Sequence, residues 1–403
     1  MKRVFDPIHR FIELDDGEVE LLDAPPMQRL RRLRQLGLAY LAFPAAEHSR
    51  FTHALGALAV GARALAAVRR AGAEDFADEA EFRAQRRLLR ASLLLHDVGH
   101  GPFSHASEAV LGVPHEARTR EILALDDVRV PLSRLGVDPD EVAALVTGDA
   151  PPRSPVLREL VGGPNLDADR MDYLLRDAYF TGVVAGSYDA EQLLGSLRVY
   201  GSGDGARLGV DGRGVVALES FVLARYMMFA TVYFHHTTRM FERVLQDALR
   251  EIWPDPRALD PIDEFLAWDD FRVLDALRAQ GGAAARALRD RRTLYGVVAE
   301  FNAEHDLRIY EACLGALVEL YGDAVWGDEQ QQLYHRLPLD ASVGRSVAVG
   351  TRAGVVDARV ASDVIARIAG KAYWRKIFVR KDRVPVEDAR RLCEAVSATR
   401  ELH

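Results

Sequence analysis

The chain is poor in cysteine: Cys313 and Cys393 are the only two among 403 residues. Two thiols so far apart in sequence make neither a disulfide framework nor a CxxC zinc site. Positive charge is not in excess either. A formal net charge of −8 excludes a whole-molecule basic nucleic-acid binder, so any polyanion must be met by local basic groups. No apolar run reads as long enough to span a bilayer, and Met1–Asp6 lacks the apolar core of a signal peptide. No internal repeat and no low-complexity tract is visible. These absences together lead us to expect a protein of the reducing cytoplasm with no membrane partner. What is present is ordinary for a soluble globular chain: 49% hydrophobic and 28% charged residues, with length enough for a sizeable core and more than one lobe.

One stretch organises the rest. Leu88–Leu95 is an apolar run that reads as a buried helix, and it runs into His96-Asp97-Val98-Gly99-His100-Gly101-Pro102-Phe103-Ser104-His105. Imidazole and carboxylate together suit Zn, Fe or Mn. Gly99, Gly101 and Pro102 stop regular helix and let backbone approach a ligand. An adjacent His-Asp pair also occurs by chance, and a histidine near a helix end can simply cap it. Three further features favour the metal: His53 upstream, Asp169 downstream, and a second pair at His115-Glu116. Two imidazoles and two carboxylates leave about two positions free on a six-coordinate ion. Arg50, three residues before His53, is the local candidate to stabilise charge on a phosphate; its ordinary alternative is a surface ion pair with Glu47.

The order H…HD…D resembles the ligand pattern of the HD phosphohydrolase superfamily. Asp6-Pro7-Ile8-His9, Gln28-Arg29-Leu30-Arg31, Gln35-Leu36-Gly37, HDVGHGPFSH and DRMDYLLRD narrow the likeness. They fall in the order seen in deoxynucleoside triphosphate triphosphohydrolases, both bacterial HD-type dNTPases and the catalytic core of the mammalian sterile-alpha-motif/HD dNTPase. The match covers about residues 1 to 245. The resemblance implies a divalent transition metal (Mn, Fe or Zn) held by His53, His96, Asp97 and Asp169, with Mg on the nucleotide phosphates. It places His105 and His115 in the site. His105 is the preferred general acid, Glu116 orients its partner, and His100 supports the metal shell. It places Gln35, Tyr173, Asp177, Arg225 and Tyr233 at the sugar, and sets Arg170 within reach of phosphate. Asp23, Gln28 and Arg31 match positions that bind an activating nucleotide between subunits. Phe5 stands where those relatives carry a polar residue. Dimers or tetramers are the implied assemblies. The implied reaction splits a dNTP into deoxynucleoside and inorganic triphosphate; residue chemistry alone does not choose which phosphate bond breaks.

The fold expected is mainly α: an HD-domain helical core with a small β-hairpin insertion and a smaller α+β C-terminal lobe. Residues 1–253 read as the core, 254–334 as a helical extension and 335–403 as the C-terminal lobe. A first helix follows Pro25-Pro26, with Met27, Leu30, Leu33 and Leu36 on one face and the neighbouring arginines solvated. Helices are expected at about 53–71, 81–97, 165–180 and, without a break, 218–253, and the stretch 106–160 as short helices broken at its prolines. Leu197–Leu218 reads as a hairpin, Arg345–Gly350 and Lys376–Arg380 as strands, Ser362–Ile368 and Val386–Val396 as helices.

Lys371, Arg375, Lys376, Arg380, Lys381 and Arg383 crowd around Tyr373, Trp374 and Phe378. Such a cluster is either an edge strand guarded by charge, a grip for a regulatory nucleotide, or a single-strand nucleic-acid site. Three functions stay open. The first is a dNTP triphosphohydrolase. The second is an HD phosphohydrolase acting on another nucleotide or phosphorylated metabolite. The third is a nucleotide- or nucleic-acid-binding regulator with a weak HD site.

Overall fold

The computed structural model describes residues 2–72, 76, 78–148, 155–202, 205–302, 306–333, 347–368 and 371–401. Strands β1 (Lys2–Asp6) and β2 (Arg10–Leu14) form an antiparallel hairpin. Its turn is held by Asp6 Oδ1, which accepts from the N–H groups of Ile8 and His9 at 2.9 and 2.8 Å. Helix α1 (Asp16–Asp23) was not expected, although Asp15 and Glu18 form a reciprocal capping box that announces it. Helix α2 (Pro25–Arg29) begins at the proline pair and ends in one tight turn, Leu30–Arg32. Met27, Leu30 and Leu33 are buried as the stripe required. Arg29 departs from the expectation of a solvated face. It is buried, donating Nε to the Trp268 carbonyl and Nη1 to the His100 carbonyl, each at 2.8 Å.

The main core forms around α3 (Arg50–Arg70), α4 (Glu79–Leu95) and a later helix. By length and composition α3 and the run Gly212–Tyr233 could each cross a bilayer, contrary to the expectation from sequence. In α3, however, 72% of the apolar window is buried against the rest of the protein. Small residues on α3 let its neighbours come close. A Cβ on Gly56 would lie 1.9 Å from Asp172 Oδ1 and 2.3 Å from Arg176 Nη2. Short helices flank the core: α5 (His105–Leu111), α6 (His115–Leu123), α7 (Asp126–Arg134), α8 (Pro139–Thr147) and α9 (Pro155–Gly162). Pro114 and Pro139 stand at helix starts, but Pro131 lies inside α7 and breaks nothing. Ala150-Pro151-Pro152 lies outside the described residues. Helix α10 (Ala168–Thr181) completes the core; α11 (Ala190–Ser196) leads to the hairpin β3 (Leu197–Tyr200) and β4 (Arg207–Asp211).

The expected long helix is broken in two. Helix α12 (Val215–Met228) passes into a wide π-turn, Phe229–Tyr233, before α13 (His236–Ile252). Thr231 donates to the Met227 carbonyl at 2.6 Å, a side-chain bond that competes with the helical ladder. His235 then caps α13, accepting from Thr237 N–H. Helix α14 (Ile262–Leu266) packs on the main core through Phe265, while a second core gathers α13 with α15 (Asp270–Ala279) and α16 (Ala283–Arg289).

The stretch read as a helical extension also holds two strands, β5 (Tyr295–Phe301) and β6 (Val325–Leu333), separated by α17 (Leu307–Tyr321). Next come β7 (Ala348–Thr351), β8 (Gly354–Asp357), α18 (Ala358–Ala361), α19 (Asp363–Ile368), β9 (Lys371–Arg380) and α20 (Val386–Glu401). The order β5-β9-β6 ties residues on both sides of the expected 334/335 boundary into one sheet, and the boundary itself lies outside the described residues. Arg345 and Ser346 lie outside them too. β7 pairs in parallel with β4, so that hairpin becomes part of a four-stranded sheet. β9 is a central strand, which rules out the edge-strand reading, one of the three left open for its basic cluster. Arg375 and Lys376 are buried, paired with Glu329 at 2.8 Å and Glu300 at 3.1 Å. Replacing Gly56 with Val should lower stability by about 1–3 kcal/mol through overpacking. Urea denaturation of the two proteins measures that difference.

Candidate metal centre

Helix α3 presents Arg50 and His53, and α4 ends one residue before His96 and Asp97. α10 carries Asp169, Asp172, Tyr173 and Asp177. His96 Nδ1 lies 2.8 Å from the Leu93 carbonyl, which can only accept, so its Nδ1 is the donor. His53 Nδ1 is 2.7 Å from Asp172 Oδ2 and donates likewise. In their neutral forms both rings therefore turn Nε2 lone pairs toward each other, 3.2 Å apart. Asp169 Oδ1 stands 2.9 Å from His53 Nε2 and 3.7 Å from His96 Nε2. Lone pairs and a carboxylate at that spacing need a cation or a proton between them. His53, His96 and Asp169 lie within reach of one ion, and two imidazoles with a carboxylate fit Mn, Fe or Zn. Asp97, expected as a fourth ligand, stands at the rim. Its oxygens are 3.4 Å from His96 Nε2 and 3.9 Å from His53 Nε2, while Oδ2 takes Arg50 Nη1 at 2.5 Å.

The charges follow this geometry. Burial pulls His53 down, but hydrogen bonds to Asp169 and Asp172 outweigh it and hold the imidazole up at about 10. Burial pushes Asp97 up, but Arg50, His96 and His100 bring it well below the usual carboxylate range. Asp169 is lowered in the same way by His53 and His96.

Asp172 was not singled out in the sequence, yet it is the buried partner behind His53. It also lies 2.6 Å from His9 Nε2 and takes Nε and Nη2 of Arg176, both at 2.9 Å. Arg176 in turn donates to Asp6 at 2.8 Å. The Asp6…His9 motif and the first two of the three acidic residues of DRMDYLLRD, Asp169 and Asp172, thus converge on one ligand. The signal was there, because Asp169 and Asp172 are three apart and share a helix face.

A second imidazole group adjoins the first. His100 stacks on His115 at 3.9 Å, and His100 Nε2 is 3.3 Å from Asp97 Oδ1. Glu108, also missed in the sequence, lies 3.3 Å from both His105 Nδ1 and His115 Nδ1. Burial raises this carboxyl, but those two histidines outweigh it and lower it. The His105 side chain is 77% exposed against 21% for His115. Glu116 reaches His115 at 3.5 Å. Gly99 makes the approach of α6 possible: a Cβ there would stand 2.1 Å from the His115 carbonyl. Phe103 and Ser104 both adopt positive φ, 53° and 54°. That strain costs about 1–3 kcal/mol per residue. It aims Ser104 Oγ at Arg50 Nε, which donates to it at 2.8 Å. The alternative partner of Arg50, Glu47, instead pairs with Arg34 at 2.6 Å.

A cavity of about 590 Å³ opens from this group, and Gln35, Tyr173, Asp177 and Tyr233 line it. Asp177 is held by His48 Nε2 at 2.7 Å and by the Tyr233 hydroxyl at 2.8 Å. His48, stacked on Phe180, is a further residue that the sequence did not point to. Burial pushes the Tyr173 phenol up to about 12. Arg225 is buried, and its Nε and Nη1 have no hydrogen-bond partner among the described residues. Arg170 does not face phosphate space. It folds back on Asp167 and the Gly163 carbonyl. Asp23, Gln28 and Arg31 lie away from the cavity lining. Arg31 donates to Gln28 Oε1 at 2.9 Å and its guanidinium covers the Phe51 ring at 3.5 Å.

Family models match in two places: the HD domain at residues 50–148, and the HD associated region at 188–306. The chain belongs to the HD-domain family. An uncharacterized protein of Methanocaldococcus jannaschii is 33% identical over 73% of this HD-domain chain and 59% of its own length. The uncharacterized protein YwfO of Bacillus subtilis is 38% identical over 62% of this chain and 55% of its own. Human deoxynucleoside triphosphate triphosphohydrolase SAMHD1 is 28% identical over 62% of this chain and 44% of its own. The chain thus spans little more than half the length of the curated relatives it matches first. The crystal structure of a hypothetical protein from Aquifex aeolicus superposes with a TM-score of 0.79 at 28% identity, covering 97% of this chain and 99% of that one.

His53→Ala and Asp169→Ala should each lose bound divalent metal while remaining folded, as measured by elemental analysis and circular dichroism. In metal-free protein His53 sits above its ordinary 6.5. The stability it brings is complete below 6.5 and is lost as pH rises through about 10. Denaturation of chelator-treated protein across that window should show the decline, and His53→Gln should flatten it.

Proposed function

We propose that this chain is a metal-dependent phosphohydrolase that cleaves dNTPs to deoxynucleoside and inorganic triphosphate. The observation that carries the reading is one cavity lined both by Asp169, the carboxylate of the His53–His96–Asp169 group, and by the Tyr173–Asp177–Tyr233 wall. The similarity to the SAMHD1 enzymes supports the substrate class. A divalent ion at His53, His96 and Asp169 would supply Lewis-acid polarisation of a phosphate and an acidified water. Asp97 is the carboxylate nearest to completing that ligand set, and Mg would accompany the nucleotide phosphates.

The chain's own residues supply the rest. Arg50, fixed by Asp97 and Ser104, offers a guanidinium to the phosphate whose bond breaks. Arg225, expected at the sugar, keeps Nε and Nη1 without a hydrogen-bond partner among the described residues. His115 gives its proton to the leaving 5′-oxygen, with Glu108 holding its other nitrogen. Asp177 accepts from the 3′-hydroxyl, kept in place by His48 and Tyr233. Tyr173 packs beneath the deoxyribose where a 2′-hydroxyl would sit, and Gln35 completes the sugar contacts. A homo-oligomer with an activating nucleotide at Asp23, Gln28 and Arg31 belongs to the same reading.

The test is turnover. Purified protein with Mn²⁺ or Mg²⁺ should convert each dNTP, singly or in a mixture, to deoxynucleoside plus triphosphate, resolved by chromatography. His96→Ala and Asp97→Ala should lower kcat by about 10²–10³-fold or more with the fold retained. Release of orthophosphate or pyrophosphate, or turnover of NTPs or other phosphorylated metabolites instead, would move the substrate elsewhere. Tight nucleotide or nucleic-acid binding without metal-dependent turnover would favour a regulator.

A further inference from the structure

The first residue of α15 reaches into the site from outside the main core. Asp270 is fully buried, and its carboxylate makes two bonds to backbone. Oδ1 accepts from Phe103 N–H at 2.7 Å, across 167 residues of sequence. Oδ2 accepts from Arg34 N–H at 2.9 Å. The guanidinium of Arg34 stays 3.9 Å away. A buried carboxylate is expensive, and here two backbone N–H groups that would otherwise be unpaired in the interior offset its cost. What it contributes is geometry.

Each of its two partners delivers a cavity residue. Phe103 opens the positive-φ turn whose next residue, Ser104, receives Arg50. Arg34 precedes Gln35, whose N–H bonds the His48 carbonyl at 2.9 Å, and His48 holds Asp177. One carboxylate therefore spans the Arg50 wall and the Asp177 wall. The residues just before it reinforce the clasp. The Trp268 carbonyl takes Arg29, which also reaches the His100 carbonyl, and Asp269 pairs with Arg32 at 2.5 Å.

We propose that Asp270 is a positioning residue of the cavity: it clasps the Phe103–Ser104 turn to the Arg34–Gln35 segment at the spacing that lets Arg50 and Gln35 face one substrate. The kinetic arm of the test rests on the phosphohydrolase reading; the exchange arm does not. Asp270→Asn keeps the shape but sets an NH₂ against one of the two N–H groups, and Asp270→Ser removes both acceptors. Hydrogen–deuterium exchange on the full chain should quicken by about tenfold in the peptides covering 101–104 and 33–36, the loss of one hydrogen bond each, with α3 unchanged. Steady-state turnover of dNTP should fall by about 10²-fold in kcat with little change in KM. Unaltered exchange in those two segments would overturn the clasp. Faster exchange there with native kcat would overturn the positioning role. A uniform rise in exchange over the whole chain would assign Asp270 to stability alone. Should Asp270→Ser unfold, Asp270→Asn carries the decision. Should native protein turn over no dNTP, the exchange arm still decides the clasp, and the substrate reading falls by itself.

Discussion

Everything at the metal centre depends on one buried negative charge. Asp172 has no solvent exposure, and His53, His9 and Arg176 surround it. Removing one partner from such a group costs about 3–5 kcal/mol, because the remaining charges stay buried and unpaired. The arrangement is therefore conditional on close packing between α3 and α10, which Gly56 permits. It also dictates function: by accepting from His53 Nδ1, Asp172 leaves Nε2 as the nitrogen that faces the site. The carbonyl of Leu93 does the same for His96. A helix end and a buried carboxylate thus specify two tautomers, and the tautomers specify a cation site.

Much of this was legible in the sequence, for physical reasons. HDVGHGPFSH combines a helix stop with donor-rich side chains, a local pattern that requires no knowledge of tertiary contacts. The helices around it follow from apolar periodicity. The unread parts are those where a residue acts at long range. Asp172, Glu108, His48 and Asp270 look like ordinary polar residues on amphipathic helices or connections. Their roles arise only when another element supplies the partner. The unbroken helix expected from 218 to 253 failed for a different reason. Apolar composition is continuous through Phe229–Tyr233, and the π-turn comes from side-chain competition that periodicity does not register. An edge strand was one of the readings open for β9, because its basic residues resemble edge protection. Their carboxylate partners on β5 and β6 became visible only in the sheet.

The cavity itself is a product of two cores rather than one. Arg50 and Asp169 lie on helices of the main core and Asp97 just beyond the end of one, while Phe103 and Leu245 belong to the second core, that of α13. Trp374, from the central strand of the C-terminal sheet, packs on Phe229 and Phe234 beside the cavity wall. The region outside the HD motif is thus part of the site's architecture, consistent with the HD associated region matching at 188–306.

Arg50 is where these strands of argument meet. Its Nη1 neutralises Asp97 and its Nε is fixed on Ser104 Oγ, so its position is set before any substrate enters. The Ser104 end of that arrangement rests on two positive-φ residues, which the loop ties locally through Ser104 N–H to the Gly101 carbonyl at 2.9 Å and Ser107 Oγ to the Ser104 carbonyl at 2.9 Å. From outside the loop, Asp270 adds a hydrogen bond to the first of them. A guanidinium placed in advance needs no reorganisation when negative charge develops on a phosphate oxygen, the condition under which electrostatic stabilisation is largest. On this view the strain in the HD loop, the buried carboxylate on α15 and the ion pair at Asp97 form one device. Each element is unfavourable alone, and together they hold one positive charge still.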